Sequence, residues 1–282
     1  MRIDSHHHLW NYSQSEYPWI DDSKDLLRRD FTPDDLQQVS RHCGITGTIA
    51  VQARQHLEET EWLLDQAERS SLICAVVGWA PLASPEIGSI LERFAQSTKL
   101  RGMRHVVQDE PGDTFFQNDG FQNGIRELTA RNLIYDILIY ANQLSWTTPF
   151  VDQHPNQTFV LDHIAKPTVQ QNQLDLNWKR DFCDLAKRGN VACKFSGVVT
   201  EVQGDQWTID TIRPYWETAW EAFGASRMMF GSDWPVCLLR SEYAGWVTAV
   251  EELASELSDS EQRAFWSENA IRWYKLPLEP QP

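Results

Sequence analysis

The chain has 282 residues, a hydrophobic fraction of 41% and a formal net charge of -15, so it can bury a sizeable core in one large domain or two ordinary ones, while an acidic surface argues against nucleic acid or anionic membranes as partners. Its five cysteines are scattered, odd in number and without a C-x-x-C pair, which argues against a disulfide framework or a structural zinc site. There is no charged-then-apolar leader and no apolar run near the roughly 18 residues of a membrane span, so a cytoplasmic protein is expected.

In chain order, short apolar, β-branched runs alternate with segments of helical period. Strands are expected at residues 2–8, 47–52, 72–78, 102–107, 133–140, 158–163, 191–196 and 228–231. Helices are expected between them at 34–42, 58–69, 85–96, 121–131, 143–153, 178–188, 212–223 and 242–256. A further helix at 258–273 follows Ser258 or Ser260 as its cap. Eight strand–helix units predict a single (β/α)8 barrel, of TIM type, with a terminal helix added. No G-x-G-x-x-G or P-loop motif supports a nucleotide-binding sheet instead. Residues 11–31, after the first strand, have no period and carry Tyr17-Pro18-Trp19. A long loop on that face reads as an aromatic flap or as a packed, passive connection.

Function in a barrel sits at the carboxyl ends of the strands. The first strand brings His6 and His8 to one face and turns His7 to the other. Such a pair can hold a metal ion, a water molecule or a substrate carbonyl. A tag fragment or a structural histidine pair is the plain alternative, although the strand-like Arg-Ile-Asp before the triplet argues against a tag. Later strands end in Gln52-Ala53-Arg54, Arg104-His105, Asp162-His163 with Lys166, Lys194-Phe195-Ser196-Gly197 and Gly231-Ser232-Asp233-Trp234. Polar groups at nearly every strand end must face a wet cavity or pair with one another, because each unpaired buried one costs about 1–3 kcal/mol. Alternation allows Arg104 or His105 to point inward, and both only with a bulge.

The ordered set Asp4-Ser-His6-x-His8-x-Trp10, Val51-Gln52-Ala53-Arg54, Leu100-Arg-Gly-x-Arg104-His105, Asp162-His163-x-x-Lys166-Pro167, Lys194-x-Ser196-Gly197 and Phe230-Gly231-Ser232-Asp233-Trp234-Pro235 resembles the amidohydrolase superfamily. Within it, the set is similar to the branch of lactone hydrolases that includes fuconolactonases, rhamnonolactonases and 2-pyrone-4,6-dicarboxylate lactonases. The resemblance implies that His6, His8, His163 and Asp233 close their strands as the catalytic and metal-ligating set, with Asp233 activating water. The chain departs from binuclear members in having Tyr135-Asp136-Ile137-Leu138-Ile139-Tyr140 where a bridging lysine would stand. One metal or none is therefore expected.

Ring opening of a lactone needs a nucleophilic water, a base and donors aimed at the developing oxyanion. Asp233 is the expected base. Arg54, Arg104, His105, Lys166 and Lys194 are candidate substrate contacts, and Trp10, Trp19 and Trp234 are candidate stacking surfaces for a sugar ring. For Lys166 and Lys194 the competing reading is an ion pair with Asp162 or Glu201. Neutral six-carbon aldonolactones are expected to be better substrates than dicarboxylate lactones. One divalent ion, zinc by its donor set, is expected to bind without being strictly required. Another amidohydrolase-type reaction (dicarboxylate-lactone hydrolysis, decarboxylation, amide hydrolysis) is the alternative. A barrel that only binds a small ligand is the reading from another class, and a base at Asp233 separates it from an enzyme.

Overall fold

The computed structural model describes residues 1–94, 96–111, 114–171, 173–204 and 206–277. Eight parallel strands follow chain order around one sheet: β1 Ile3–His7, β2 Gly47–Val51, β3 Ile73–Gly78, β4 Leu100–Val106, β5 Ile134–Leu138, β6 Phe159–Leu161, β7 Val191–Phe195 and β8 Met228–Phe230. The ring closes just past β8, where His7 bridges Trp234. There the amides of His8 and Asp233 donate to the carbonyls of Trp234 and His6 at 2.7 and 2.8 Å. The expected (β/α)8 barrel is therefore the observed architecture.

The helices that cover it are α1 Pro33–Ser40, α2 Leu57–Arg69, α3 Ile87–Arg93, α4 Asp119–Ala130, α5 Leu144–Asp152, α6 Leu176–Leu185, α7 Ile209–Phe223 and α8 Tyr243–Leu253. Several starts are fixed by local chemistry. Thr32 and Asp35 form a reciprocal capping box ahead of Pro33, and Asn118 caps α4. Ser258, rather than Ser260, caps the terminal helix through a box with Glu261. That helix runs as α9 Asp259–Arg263, a π-helical turn Ala264–Glu268 and α10 Asn269–Trp273. The expected strand over 158–163 is shorter, because the backbone leaves the extended region after Leu161.

Alternating residues divide the core in two. Outward-facing side chains pack under the helices, whereas Ile3, Ile49, Val51, Val77, Val160 and Met229 fill the barrel interior. Ala270, Ile271, Tyr274 and Leu276 belong to that inner cluster, so the terminal helix plugs the amino end of the barrel. The opposite end is left for polar side chains. Residues 11–31 form an anchored flap there: Trp10 and Phe31 exchange backbone hydrogen bonds of 3.1 and 2.9 Å, and Tyr17, Ile20 and Leu27 are buried beneath it. The five cysteines are free thiols. No described helix is long and apolar enough to cross a membrane.

Candidate active site

At the carboxyl end of the barrel, His6, His8, His163 and Asp233 converge. The Nε2 atoms of His6 and His8 lie 3.2 Å apart, and Asp233 Oδ1 lies 3.7, 3.4 and 3.8 Å from the Nε2 atoms of His6, His8 and His163. Each ring is oriented through its other nitrogen. His8 Nδ1 faces the Val51 carbonyl at 2.8 Å, His163 Nδ1 faces Ser196 Oγ at 2.9 Å, and His6 Nδ1 faces Asp162 Oδ1 at 3.2 Å. A carbonyl can only accept, so His8 carries its proton on Nδ1 and turns a bare Nε2 inward. His6 Nδ1 faces both the Asp162 carboxylate and the Lys194 ammonium at 3.2 Å, and the Arg104 guanidinium, which can only donate, lies 3.4 Å from its Nε2, in keeping with the same tautomer.

The strands deliver these groups in different ways. In β1 the register shifts between Asp4 and His7, and beyond that irregularity alternation serves: His6 and His8 face the cluster, while His7 turns away to Thr48 Oγ1 at 3.0 Å. His163 and Asp233 instead stand on left-handed backbone, with φ of 54° and 57°; Ile164, Ala165 and Lys166 continue that conformation at 48°, 61° and 45°. Non-glycine residues pay roughly 1–2 kcal/mol each there. Local bonds hold the turn: Trp178 Nε1 donates to the Ile164 carbonyl at 2.7 Å, and the Lys166 amide donates to His163 O at 2.8 Å. Gly197, itself at φ 63°, passes so close that a Cβ would stand 2.5 Å from His163 Nδ1 and 2.9 Å from Asp233 Oδ2. Gly231 likewise lies where a Cβ would meet His6 Cβ at 2.8 Å. The buried Asp4 carboxylate accepts from the His6 and Ser232 amides at 3.1 and 2.8 Å, tying the ends of β1 and β8 together.

Electrostatics set the protonation states. Burial alone would raise the Asp233 carboxyl, but the facing His163, His8 and His6 outweigh it and hold the group well below the usual carboxylate range. Burial lowers His163 to about 4 and takes His6 well below its ordinary value, Asp162 opposing the shift only in part. At neutral pH Asp233 is a carboxylate, and His6 and His163 are neutral imidazoles.

Beneath it lies a second polar layer in which each charged group meets an opposite charge. Lys194 Nζ contacts Asp136 Oδ2 at 2.6 Å and Asp162 Oδ1 at 2.9 Å; Arg104 contacts Asp162 Oδ2 at 3.0 Å; Tyr274 Oη donates to both Asp136 oxygens at 2.8 Å. Lys194 is wholly buried and its ammonium is taken up by these carboxylates, so it does not reach the cavity as expected of a substrate contact. The two lysines make the ion pairs weighed from the sequence, Lys166 with Glu201 at 3.4 Å.

Above the cluster opens a cavity of about 970 Å³, lined by His8, His163, Asp233, Arg54, Arg104 and Lys166 among others, with Trp19 and Glu16 of the flap on its wall. Four expected contacts lie elsewhere. Trp10 is buried with its Nε1 on the Arg29 carbonyl, 5.7 Å edge-on beneath Trp19, and Trp234 packs edge-on against Phe31 at 5.1 Å. They support the wall instead of lining it. His105 stacks on Phe115 at 4.9 Å and bonds Glu110 at 2.7 Å, so Arg104 is the residue of its pair that points inward, the register against β5 being continuous at these two residues. Lys194 lies in the layer below. Residues the sequence reading did not assign to the site are Asp4, Ser196, Asp136, Asp162 and Tyr274; lone carboxylates inside apolar strand runs, as in Ile134-Tyr135-Asp136-Ile137-Leu138, were the available signal, since burial demands a partner.

The donor set fits one divalent ion. Nitrogen and oxygen ligands about 2.0–2.2 Å from zinc in tetrahedral geometry stand about 3.3–3.6 Å apart, close to the spacings among His6, His8 and Asp233, with His163 Nε2 a little farther, 3.8 Å from Asp233. Bare Nε2 atoms facing one another beside a carboxylate repel unless a cation lies between them. His6, Asp162 and His163 also stand within metal-ligating distance, but Asp162 is engaged by Arg104 and Lys194 and serves to orient His6.

The comparisons with known proteins agree with this geometry. The amidohydrolase family profile matches residues 3–276. An L-fucono-1,5-lactonase of Burkholderia multivorans is 39% identical, over 98% of this chain and 97% of its own, and one of Burkholderia ambifaria is 32% identical over 98% and 96%. A crystal structure of an amidohydrolase from Burkholderia multivorans with bound zinc superposes with a TM-score of 0.92 at 39% identity, covering 98% of this chain and all of that one. With barrel, strand-end cluster and near full-length similarity in accord, this chain belongs to the amidohydrolase family.

Proposed function

We propose that the protein is a lactonase that opens the ring of a neutral six-carbon sugar-acid lactone of the L-fucono-1,5-lactone kind. The observation that carries hydrolysis is the ionised Asp233 set among three oriented imidazoles on the floor of an open cavity. The two L-fucono-1,5-lactonases, similar along their whole length, support the sugar-acid class. Asp233 takes a proton from water as its oxygen bonds to the lactone carbonyl carbon, and returns that proton to the ring oxygen as the C–O bond breaks. The hydroxy acid formed then ionises to a carboxylate. Arg104, fixed by Asp162 and Gln52, aims a guanidinium edge at this floor, where Nη1 lies 3.4 Å from His6 Nε2. Trp19 offers an apolar face to the ring and Arg54 hydrogen bonds to its hydroxyls.

His6, His8, His163 and Asp233 would hold one zinc-like ion, which would polarise the carbonyl and acidify a bound water. Lactones are electrophilic enough that hydrolysis persists at reduced rate without it. A panel of aldonolactones and dicarboxylate lactones, followed by acid release with a pH indicator, tests the assignment. Turnover of six-carbon aldonolactones is expected, and faster turnover of pyrone dicarboxylates would overturn it. Complete loss on chelation, restored by a stoichiometric metal, would make the metal dependence absolute.

A further inference from the structure

The cavity is polar, yet the cations on its described wall are already matched. Arg54 pairs with Glu16 at 2.8 Å, Lys166 with Glu201 at 3.4 Å, Arg104 with Asp162 at 3.0 Å and Lys24 with Asp21 at 2.6 Å. Arg104 is locked from below, and Lys24 sits on the flap beside its exposed partner. Glu58 and Asp109 line the cavity too, but Glu16 and Glu201 are the acids that both line it and pair with one of its cations. Arg54 follows β2 and Lys166 follows β6, four strands apart in a ring of eight, so the two neutralised cations stand on opposite sides of the mouth. Buried donors without a partner also occur on this wall, at Arg54 Nε and Gln108 Nε2. A neutral hydroxyl satisfies such a donor without bringing charge into a site that already holds ionised Asp233.

Resting on the lactonase reading above, we infer that Glu16 and Glu201 are specificity-determining residues: by neutralising Arg54 and Lys166 they leave the described wall of the cavity no unpaired lysine or arginine for a carboxylate, so the site accepts uncharged lactones and releases its own product. The chemistry makes both effects follow from one arrangement. Ring opening converts a neutral substrate into an anion in place, and that anion meets ionised Asp233 and two already neutralised ion pairs, with no unpaired lysine or arginine on the described wall to hold it. A lactone carrying a free carboxylate meets the same repulsion on entry.

The test measures kcat/KM for a neutral aldonolactone and for a lactone of the same ring size bearing one free carboxylate, together with inhibition by the open-chain aldonate. It uses the unchanged protein, Glu16→Gln and Glu201→Gln, at low salt and at about 0.5 M salt. Both glutamates are partly exposed and the substitutions keep their shape. The charged-to-neutral ratio of kcat/KM is expected to rise about tenfold in each variant and aldonate inhibition to tighten by a similar factor, both effects shrinking in salt. Ratios and inhibition constants within twofold of the parent in both variants would overturn the inference, as would equal handling of the two lactones by the parent, and either result leaves the lactonase reading intact. Absence of neutral-lactone turnover by the parent would overturn that reading and this inference with it.

Discussion

Two polar layers are stacked in the carboxyl half of one barrel, and they are built from similar residue types. The lower one, Lys194, Asp136, Asp162, Arg104 and Tyr274, satisfies each charge with an opposite one. The upper one, His6, His8, His163 and Asp233, orients each ring through its outer nitrogen and turns the inner nitrogens toward Asp233, with Arg104 Nη1 reaching only that of His6 among the described residues. Saturation makes the lower layer a rigid base. Incompleteness makes the upper layer a site for a ligand. The backbone draws the same line, since the left-handed residues His163 and Asp233 belong to the upper layer, whereas the lower one rises from regular strands or their ends and, for Tyr274, from the end of α10.

Substitutions should therefore separate the layers. The largest effect is expected for Asp233→Asn, which keeps the shape and removes the base: turnover of the preferred lactone should fall by about 10² to 10⁴ with the protein still folded. A variant that melts earlier yet hydrolyses at the parental rate would show Asp233 to be structural. Lys194→Met should act in the opposite sense, destabilising by about 3–5 kcal/mol because Asp136 is left buried beside Asp162 without its counter-ion. Urea unfolding measures this, and unchanged stability would break the distinction between the layers.

A pH prediction follows from His7, which turns away from both layers. Burial lowers it from 6.5 to about 3, its Nδ1 has no partner, and Nε2 meets only a hydroxyl. Between those values the unfolded chain binds a proton that the folded one refuses, so stability is lost as pH falls from 6.5 toward 3. Replacing His7 by Asn should flatten the acid limb by roughly 3 kcal/mol between pH 6.5 and 4. Denaturation midpoints at pH 7, 5.5 and 4 check it, and an unaltered slope would contradict it. The smallest effect belongs to the wall. Trp19→Ala should raise KM several-fold, about 1 kcal/mol of lost stacking, with stability nearly unchanged. Trp10→Ala, one ring deeper and fully buried, should cost about 3–5 kcal/mol of stability.

The sequence by itself determined the barrel, because eight apolar runs alternating with helical periods have few other ways to bury both faces of a parallel sheet. It also determined that His6, His8, His163 and Asp233 lie at strand ends, since alternation and the turn after each strand are local properties. Only the tertiary structure decided which polar groups look outward into a cavity and which look at one another. Lys194 and Lys166 read alike in the chain, yet one is enclosed by two carboxylates and the other stands at the mouth. Trp10 begins the loop and Trp19 lies within it, but closure through the Trp10–Phe31 pair places one ring under the other. Pairing across a barrel joins residues such as His6 and Asp162, 156 positions apart. Propensity and periodicity act over a few residues, so such partners become defined only when the ring of strands closes.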